Sequence, residues 1–193
     1  MNDNELIELI LQGDREKFGT LVDRYSQMVF RTCMGFVHNR EDAEDLTQEV
    51  FLRAFQSLAG FKGKSSFPTW IYRIAVNASL NFKRKHSGIS LFERLESLFS
   101  GEKSAEKNPV FSLTDDPEKI LIEREHSLWL QRALDSLPAN QRTAIILSKY
   151  EDLSQKEISE IMNLSIGAVE ALLQRAKKNL RERLSAGDKK KLI

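Results

Sequence analysis

Residues 154–180 read SQKEISEIMNLSIGAVEALLQRAKKNL. Ser154 and Glu157 stand three apart ahead of an apolar run, which is the spacing of a capping box: the serine hydroxyl accepts from the first turn and the glutamate reaches back. A short helix over 154–162 is expected, then a tight turn at Asn163–Ser165 and a longer helix over 166–185. Helices joined by so short a turn must cross. Ile158, Ile161, Met162, Leu164, Val169 and Leu173 are the apolar residues that would lock the crossing, so the pattern is a helix-turn-helix. Many such patterns are only helical hairpins. Here Arg175, Lys177, Lys178, Arg181 and Arg183 follow on the same helix, which suits a helix seated in the major groove with its cations on phosphates.

Working outward, the whole chain is expected to be all-α. Its 193 residues hold only nine glycines and four prolines, and its apolar residues recur at a period near 3.6. A short helix over about 4–12 stops at Gly13. Asp14 is the expected N-cap of a second helix to about 36, with Phe18, Leu21, Val22, Tyr25, Met28, Val29 and Thr32 facing inward and Gly35 and His38–Asn39 ending it. Asn39 caps a third helix, 40–58, closed by Gly60. Pro68 suits the first turn of a fourth helix running to about Lys85. Composition then shifts to serine, glycine and mixed charge between Ser87 and Asp115, with LFERLESLF (91–99) able to form a transient amphipathic turn or two. Order returns with Asp115 or Asp116 as a cap, Pro117 in the first turn and a helix ending before Pro138; a further helix covers about 139–150. This divides the chain into two small helical domains, 1–86 and 117–193, joined by a flexible linker at 87–116.

Charge is distributed unevenly behind a net of +1. Residues 1–59 carry six basic and eleven acidic side chains, and 93–173 carry nine against fifteen. Residues 60–92 hold Lys62, Lys64, Arg73, Lys83, Arg84 and Lys85 without an acid, and 174–193 hold eight basic against two acidic side chains. Two concentrated basic segments point to polyanion contact at two places rather than to solvated faces. The first contains GKSSFPTWIYRIAVN, residues 63–77. On a helix begun by Pro68, Ile71, Ile74, Ala75, Ala78 and Phe82 form the core face, and Trp70 packs at its edge. Phe61, Phe67 and Tyr72 are left outside it, among Lys62, Lys64 and Arg73. Exposed rings interleaved with cations suit unpaired bases, each stack contributing about 1–3 kcal/mol, and Asn77 can hydrogen-bond a base edge. Together they would capture bases leaving a duplex.

The third helix, NREDAEDLTQEVFLRAFQSL, is two-sided. Ala43, Leu46, Val50, Phe51, Ala54, Phe55 and Leu58 form an apolar stripe, and Glu41, Glu44, Asp45, Gln48 and Glu49 crowd the other face. The helix dipole favours acids in the first turn. It does not account for Gln48 and Glu49, which lie beyond it; beside an exposed Leu52 they suggest a protein-docking surface.

Other function classes find little support. His38, His86, His126 and Cys33 lie far apart without metal-ligand spacing, and no glycine loop cradles phosphate, so neither catalysis nor a metal or cofactor is expected. Cys33 has no internal partner, which fits a reducing cytoplasm, and its apolar setting suits a buried thiol. No run of eighteen apolar residues and no signal peptide is present, so no membrane insertion is expected.

Taken in order, DAEDLTQEVFLRAF, FKGKSSFPTWIYRIAVN and LPANQRTAIILSKYEDLSQKEISEIMNLSIGAVEALLQRAKKNL resemble an extracytoplasmic-function (ECF) sigma factor of the sigma-70 family of bacterial RNA polymerase. The resemblance covers roughly 15–86 and 118–184. It implies that 1–86 is a region 2 domain and 117–193 a region 4 domain. Asp45, Gln48, Glu49 and Leu52 would dock on the clamp helices of the beta-prime subunit. Phe61, Lys62, Lys64, Ser66, Phe67, Thr69, Arg73, Asn77, Asn81, Lys83 and Arg84 would melt and read the minus-ten element, with Asn77 aligned to the family's base-reading asparagine. Ser165, Ala168, Glu170, Ala171, Gln174, Arg175 and Lys178 would face the minus-thirty-five element, and the same domain would touch the beta flap. The resemblance further implies a cytoplasmic protein, not an enzyme, serving an envelope or stress response under an anti-sigma factor.

The recognition helix departs from the family pattern: where a basic residue and a serine are common after the Gly167-Ala168-Val169 position, this chain reads Glu170-Ala171-Leu172, and Leu172 replaces an expected basic residue. Glutamate repels phosphate but can accept from cytosine N4, so phosphate anchoring is expected to shift to Arg175, Lys177 and Lys178. Two other functions stay open on the residues alone: a stand-alone helix-turn-helix regulator with 1–86 as a sensor or dimerisation module, and a helical adaptor for protein partners. The regulator has no use for the aromatic, acid-free segment, and the adaptor leaves both basic segments unexplained.

Overall fold

The computed structural model describes the backbone of residues 1–100 and 127–188 and the side chains of 1–86 and 127–185. Among the described residues all regular structure is helical. The helices are α1 (Asp3–Leu11), α2 (Lys17–Val37), α3 (Arg40–Ser57), α4 (Phe67–Ser100), α5 (described over 127–135), α6 (Ala139–Lys149), α7 (Gln155–Met162) and α8 (Ile166–Asp188), with a 3-10 turn at Leu58–Gly60. The expected caps at Asp115 or Asp116, and Pro117, lie outside the described residues, as does the later part of the 87–116 linker.

Local chemistry places most boundaries. Asn2 accepts from the Glu5 N–H at 2.9 Å and receives the Glu5 carboxylate in return, so α1 opens on a capping box. Asn39 accepts from the Asp42 N–H at 3.0 Å and starts α3. His38, in the left-handed region at φ 58°, closes α2 by donating its N–H to the Met34 carbonyl. One residue thus turns the chain from α2 into α3. Three expectations are corrected here. Asp14 does not cap α2, which begins at Lys17 without a side-chain cap after a turn over 14–16. Gly35 does not end α2; it is a buried interior residue, in close contact with Ile146. And α4 passes Lys85 to reach Ser100: no proline follows Pro68 in that stretch, and one glycine, Gly88, costs a helix only about 1 kcal/mol.

Two cores form. The first gathers Leu6, Ile7, Leu21, Val29, Leu46, Val50, Leu58, Phe67 and Ile71 from α1–α4 and the 3-10 turn. The second gathers Leu134, Ile146, Leu147, Ile158, Val169 and Leu173 from α5–α8, and it also takes Phe36 from α2 and Tyr72 and Val76 from α4. A fully buried leucine or isoleucine contributes about 1.5–3 kcal/mol over an exposed one, so the shared second core bonds the two helix groups together. α2 packs on α6, and α4 packs on α7. Cys33 lies inside the first core at 0% exposure, and burial pushes its thiol up to about 11.

Candidate nucleic-acid and polymerase interface

The helix-turn-helix forms as its capping box requires. Ser154 Oγ accepts from the Glu157 N–H at 3.3 Å, and the Glu157 carboxylate accepts from the Ser154 N–H at 2.8 Å. The hydrogen bond from the Ser154 hydroxyl holds the Glu157 carboxyl below its usual value. Asn163 adopts φ 54° and closes α7, and Ser165 opens α8 by accepting from the Ala168 N–H at 3.2 Å. Ile158, Ile161, Val169 and Leu173 are buried at the crossing, and Met162 is half-buried. Leu164 is corrected: it sits in the turn at 38% exposure, where neither helix can cover it. Along α8, Glu170, Gln174, Arg175, Lys177 and Lys178 are exposed, while Ala168 and Ala171 are half-buried. Lys178 lies 3.9 Å from Glu182, a solvent-exposed pair of little strength. Leu172 packs against the second core.

The segment 61–84 departs more from expectation. Phe67 is 1% exposed and belongs to the first core, its ring 5.4 Å from Tyr25, 5.6 Å from Trp70 and 6.1 Å from Phe61. Helix α4 begins at Phe67 rather than Pro68, which turns this ring under the helix. Phe67 is therefore no stacking platform for a base. Tyr72 is also buried, at 6%, because its face of α4 meets the second core; its hydroxyl donates to Glu151 at 3.0 Å. Thr69 is buried within the helix start, sharing a 2.9 Å hydrogen bond with Ser66, whose hydroxyl also accepts from the Thr69 N–H. Ser66 thus acts as a cap, and Thr69 presents no surface. Phe61 is half-buried against Phe67 and Trp70. What remains at the surface is polar: Lys62 and Lys64 around Gly63 (φ 66°), then Asn77, Asn81 and Arg84 along α4. Arg84 donates to Asn81 Oδ1 at 3.1 Å.

On α3, Asp45 and Gln48 are exposed, Leu52 stands out at 57% exposure, and Glu49 is half-buried and ion-paired with Arg53. They form one acidic face with an exposed apolar residue at its C-terminal end, away from the buried Leu46, Val50 and Ala54.

Sequence reasoning missed the residues that join the helix groups. Glu151, its carboxylate fully buried, accepts from Arg31 (3.1 and 3.3 Å) and from Tyr72. Burial and the adjacent carboxylate raise the Tyr72 hydroxyl, and the hydrogen bond to Glu151 raises Arg31. Arg73 donates to the Glu160 carbonyl at 2.6 Å. Asp135 is ion-paired with Lys83 and lies 3.4 Å from His38 Nε2 and 4.0 Å from Arg142. Desolvation lowers Lys83, against the opposing pull of Asp135. Arg31, Asp135, Arg142 and Glu151 carry no periodicity or motif, so nothing in the sequence singles them out, and the sequence points Tyr72, Arg73 and Lys83 toward DNA rather than toward this join.

Both halves of the chain resemble known proteins. Residues 21–89 match the family model for Sigma-70 region 2, and residues 127–180 match the model for Sigma-70, region 4. The chain is 32% identical to the ECF RNA polymerase sigma-E factor of Haemophilus influenzae, with 95% of this chain and 96% of that protein covered. It is 30% identical to the ECF RNA polymerase sigma factor SigW of Bacillus subtilis, covering 92% and 94%. Among solved structures, CnrH in complex with the cytosolic domain of CnrY superimposes with a TM-score of 0.66 at 23% identity, covering 95% of this chain and 97% of that one. RpoE from Bartonella quintana, in complex with the anti-sigma factor NepR, gives 0.58 at 22% identity, covering 88% and 98%. The fold is thus that of the two-part helical sigma factors. The chain belongs to the ECF group of the sigma-70 family, a family of transcription initiation factors and not a known family of enzymes. Among the described residues, no helix is long and apolar enough to cross a membrane, and no cluster of side chains could hold a metal ion.

Proposed function

We propose that this chain binds core RNA polymerase, directs it to specific promoters and starts transcription by opening the duplex, acting as a specificity subunit and not as an enzyme. The observation that carries this beyond family membership is the surface of the acid-free segment: Lys62, Lys64, Asn77 and Asn81 are exposed while the rings among them are folded beneath. Cations there would track the strand, and Asn77 and Asn81 would read base edges; exposed Ser66 caps the helix start and buried Thr69 supports it from within. Arg73, Lys83 and Arg84 would complete the minus-ten surface. In region 4, Glu170 and Gln174 would meet base edges in the minus-thirty-five major groove, Arg175 and Lys178 the phosphates, with Ser165, Ala168 and Ala171 allowing close approach. Asp45, Gln48, Glu49 and Leu52 would dock on the clamp helices of the beta-prime subunit, and region 4 on the beta flap. The anti-sigma complexes of its structural neighbours support similar control here, in the cytoplasm, as part of an envelope or stress response.

The test is to add the chain to core RNA polymerase and probe promoter DNA with permanganate, which oxidises unpaired thymines. Opening that depends on both components is expected. Duplex binding by the chain alone, without opening in the presence of polymerase, would mark a stand-alone regulator.

A further inference from the structure

The tip of the helix-turn-helix carries apolar surface that the fold does not use. Ile166, the first residue of α8, is 50% exposed, and Leu164 in the turn before it is 38% exposed. Neither belongs to either core. Leu164 has a local reason to be apolar. Its N–H donates to the Ser159 carbonyl at 3.0 Å in the closure of α7, and an apolar residue commonly follows the left-handed position of such a closure. Ile166 has no such reason, and a β-branched residue is a poorer helix former than alanine. Single exposed apolar side chains are ordinary on protein surfaces, so it is the position of this one that matters. Ile166, Glu170 and Gln174 are each exposed and stand four residues apart, in one row along α8. Gly167 has nothing within 4 Å of where a Cβ would stand, and its φ is not in the left-handed region. Neither packing nor backbone conformation calls for glycine there, and a bare first turn lets α8 approach a partner closely. The turn itself is fixed: the Ser165 carbonyl accepts from the Val169 N–H at 3.1 Å, and its hydroxyl from the Ala168 N–H at 3.2 Å.

Among the base edges of the major groove, the apolar group is the 5-methyl of thymine. We propose that Ile166 contacts a thymine 5-methyl in the minus-thirty-five element, and so determines promoter specificity alongside Glu170. The proposal rests on the assignment of α8 to that element above. Four residues of helix rise about 6 Å, and successive bases of a strand lie about 3.4 Å apart. The thymine therefore lies within about two base pairs of the one that Glu170 meets, on either strand.

The full chain with core polymerase tests this. Wild type first selects duplexes from a library randomised across the minus-thirty-five element. Each thymine of the selected sequence is then replaced in turn by deoxyuridine, which lacks only the 5-methyl group, and binding is measured for wild type and Ile166→Ala. At one position, deoxyuridine should weaken wild-type binding about fourfold, the value of one buried methyl. Ile166→Ala should bind the thymine and deoxyuridine forms of that position alike. Because the side chain is exposed, its removal should leave the thermal unfolding midpoint in place. A selected element without thymine, or one in which no deoxyuridine weakens wild type, overturns the contact. So does a methyl effect that Ile166→Ala retains in full. Selection of no minus-thirty-five sequence at all is a different result: it removes the region 4 assignment, and the contact with it.

Discussion

Phe67 and Trp70 meet at 5.6 Å between ring centroids, the first buried and the second half-buried, so the start of α4 is built into the first core. Phe67→Ala is accordingly expected to destabilise the chain by about 3–5 kcal/mol, the usual cost of emptying a buried phenylalanine site. Urea unfolding followed by circular dichroism measures it. A variant of wild-type stability that has lost only DNA affinity would return Phe67 to the surface role that its sequence suggests.

Asn77 has the opposite character. It is exposed, so Asn77→Ala should change stability by no more than about 0.5 kcal/mol. Loss of one base-edge contact, about 1–3 kcal/mol, should lower promoter opening about fivefold or more. Permanganate reactivity, compared with polymerase binding in a pull-down, separates the two effects. Parallel losses in folding, polymerase binding and opening would make the residue structural.

Glu170 is exposed on α8, the helix proposed to enter the major groove, and a lysine there would reach as far. Glu170→Lys should alter which promoters are selected from a randomised minus-thirty-five library, by exchanging an acceptor for a donor. Tighter binding with unaltered preference would show instead that Glu170 acts only by repelling phosphate.

Asp135 makes the chain sensitive to acid. Burial by itself raises its carboxyl, but His38 and Lys83 beside it outweigh burial and hold it below the usual value. A carboxyl depressed in the folded state contributes stability that is fully present above the unfolded value of about 4 and is lost as pH falls through the lower folded value. The pair is partly exposed, so the contribution is at most about 1 kcal/mol. Thermal unfolding at a series of pH values should show wild type losing more stability than Asp135→Asn on acidification below pH 4. Equal losses would mean that Asp135 is unpaired in solution.

The family, the helix-turn-helix and most helix starts are legible in the residues because they depend on near neighbours. Asn39 caps α3 through Asp42, and Ser154 caps α7 through Glu157, whatever the rest of the chain does. Basic and acid-free segments are likewise local facts. Periodicity also located the inner face of α3 around Leu46, Val50 and Ala54, since one helix face suffices to bury them.

The fates of Phe67, Tyr72, Gly35 and Glu151 turn on residues far along the chain. Two aromatic residues in a basic segment can stack on bases or fill a core. Phe67 fills one because Tyr25 of α2 lies beside it, and Tyr72 because Glu151, 79 positions away, accepts its hydroxyl proton. Gly35 has the look of a helix end until Ile146 arrives against it. What the sequence determined by itself was the set of helices, their caps and the polar residues available for DNA. Which aromatic groups stay exposed, and which cations are already paired, was decided only by tertiary packing: α2 against the start of α4 for Phe67, and the C-terminal helices against α2 and α4 for Tyr72, Arg73 and Lys83. Burial and ion pairing are properties of surfaces brought together, and no stretch of chain contains both sides.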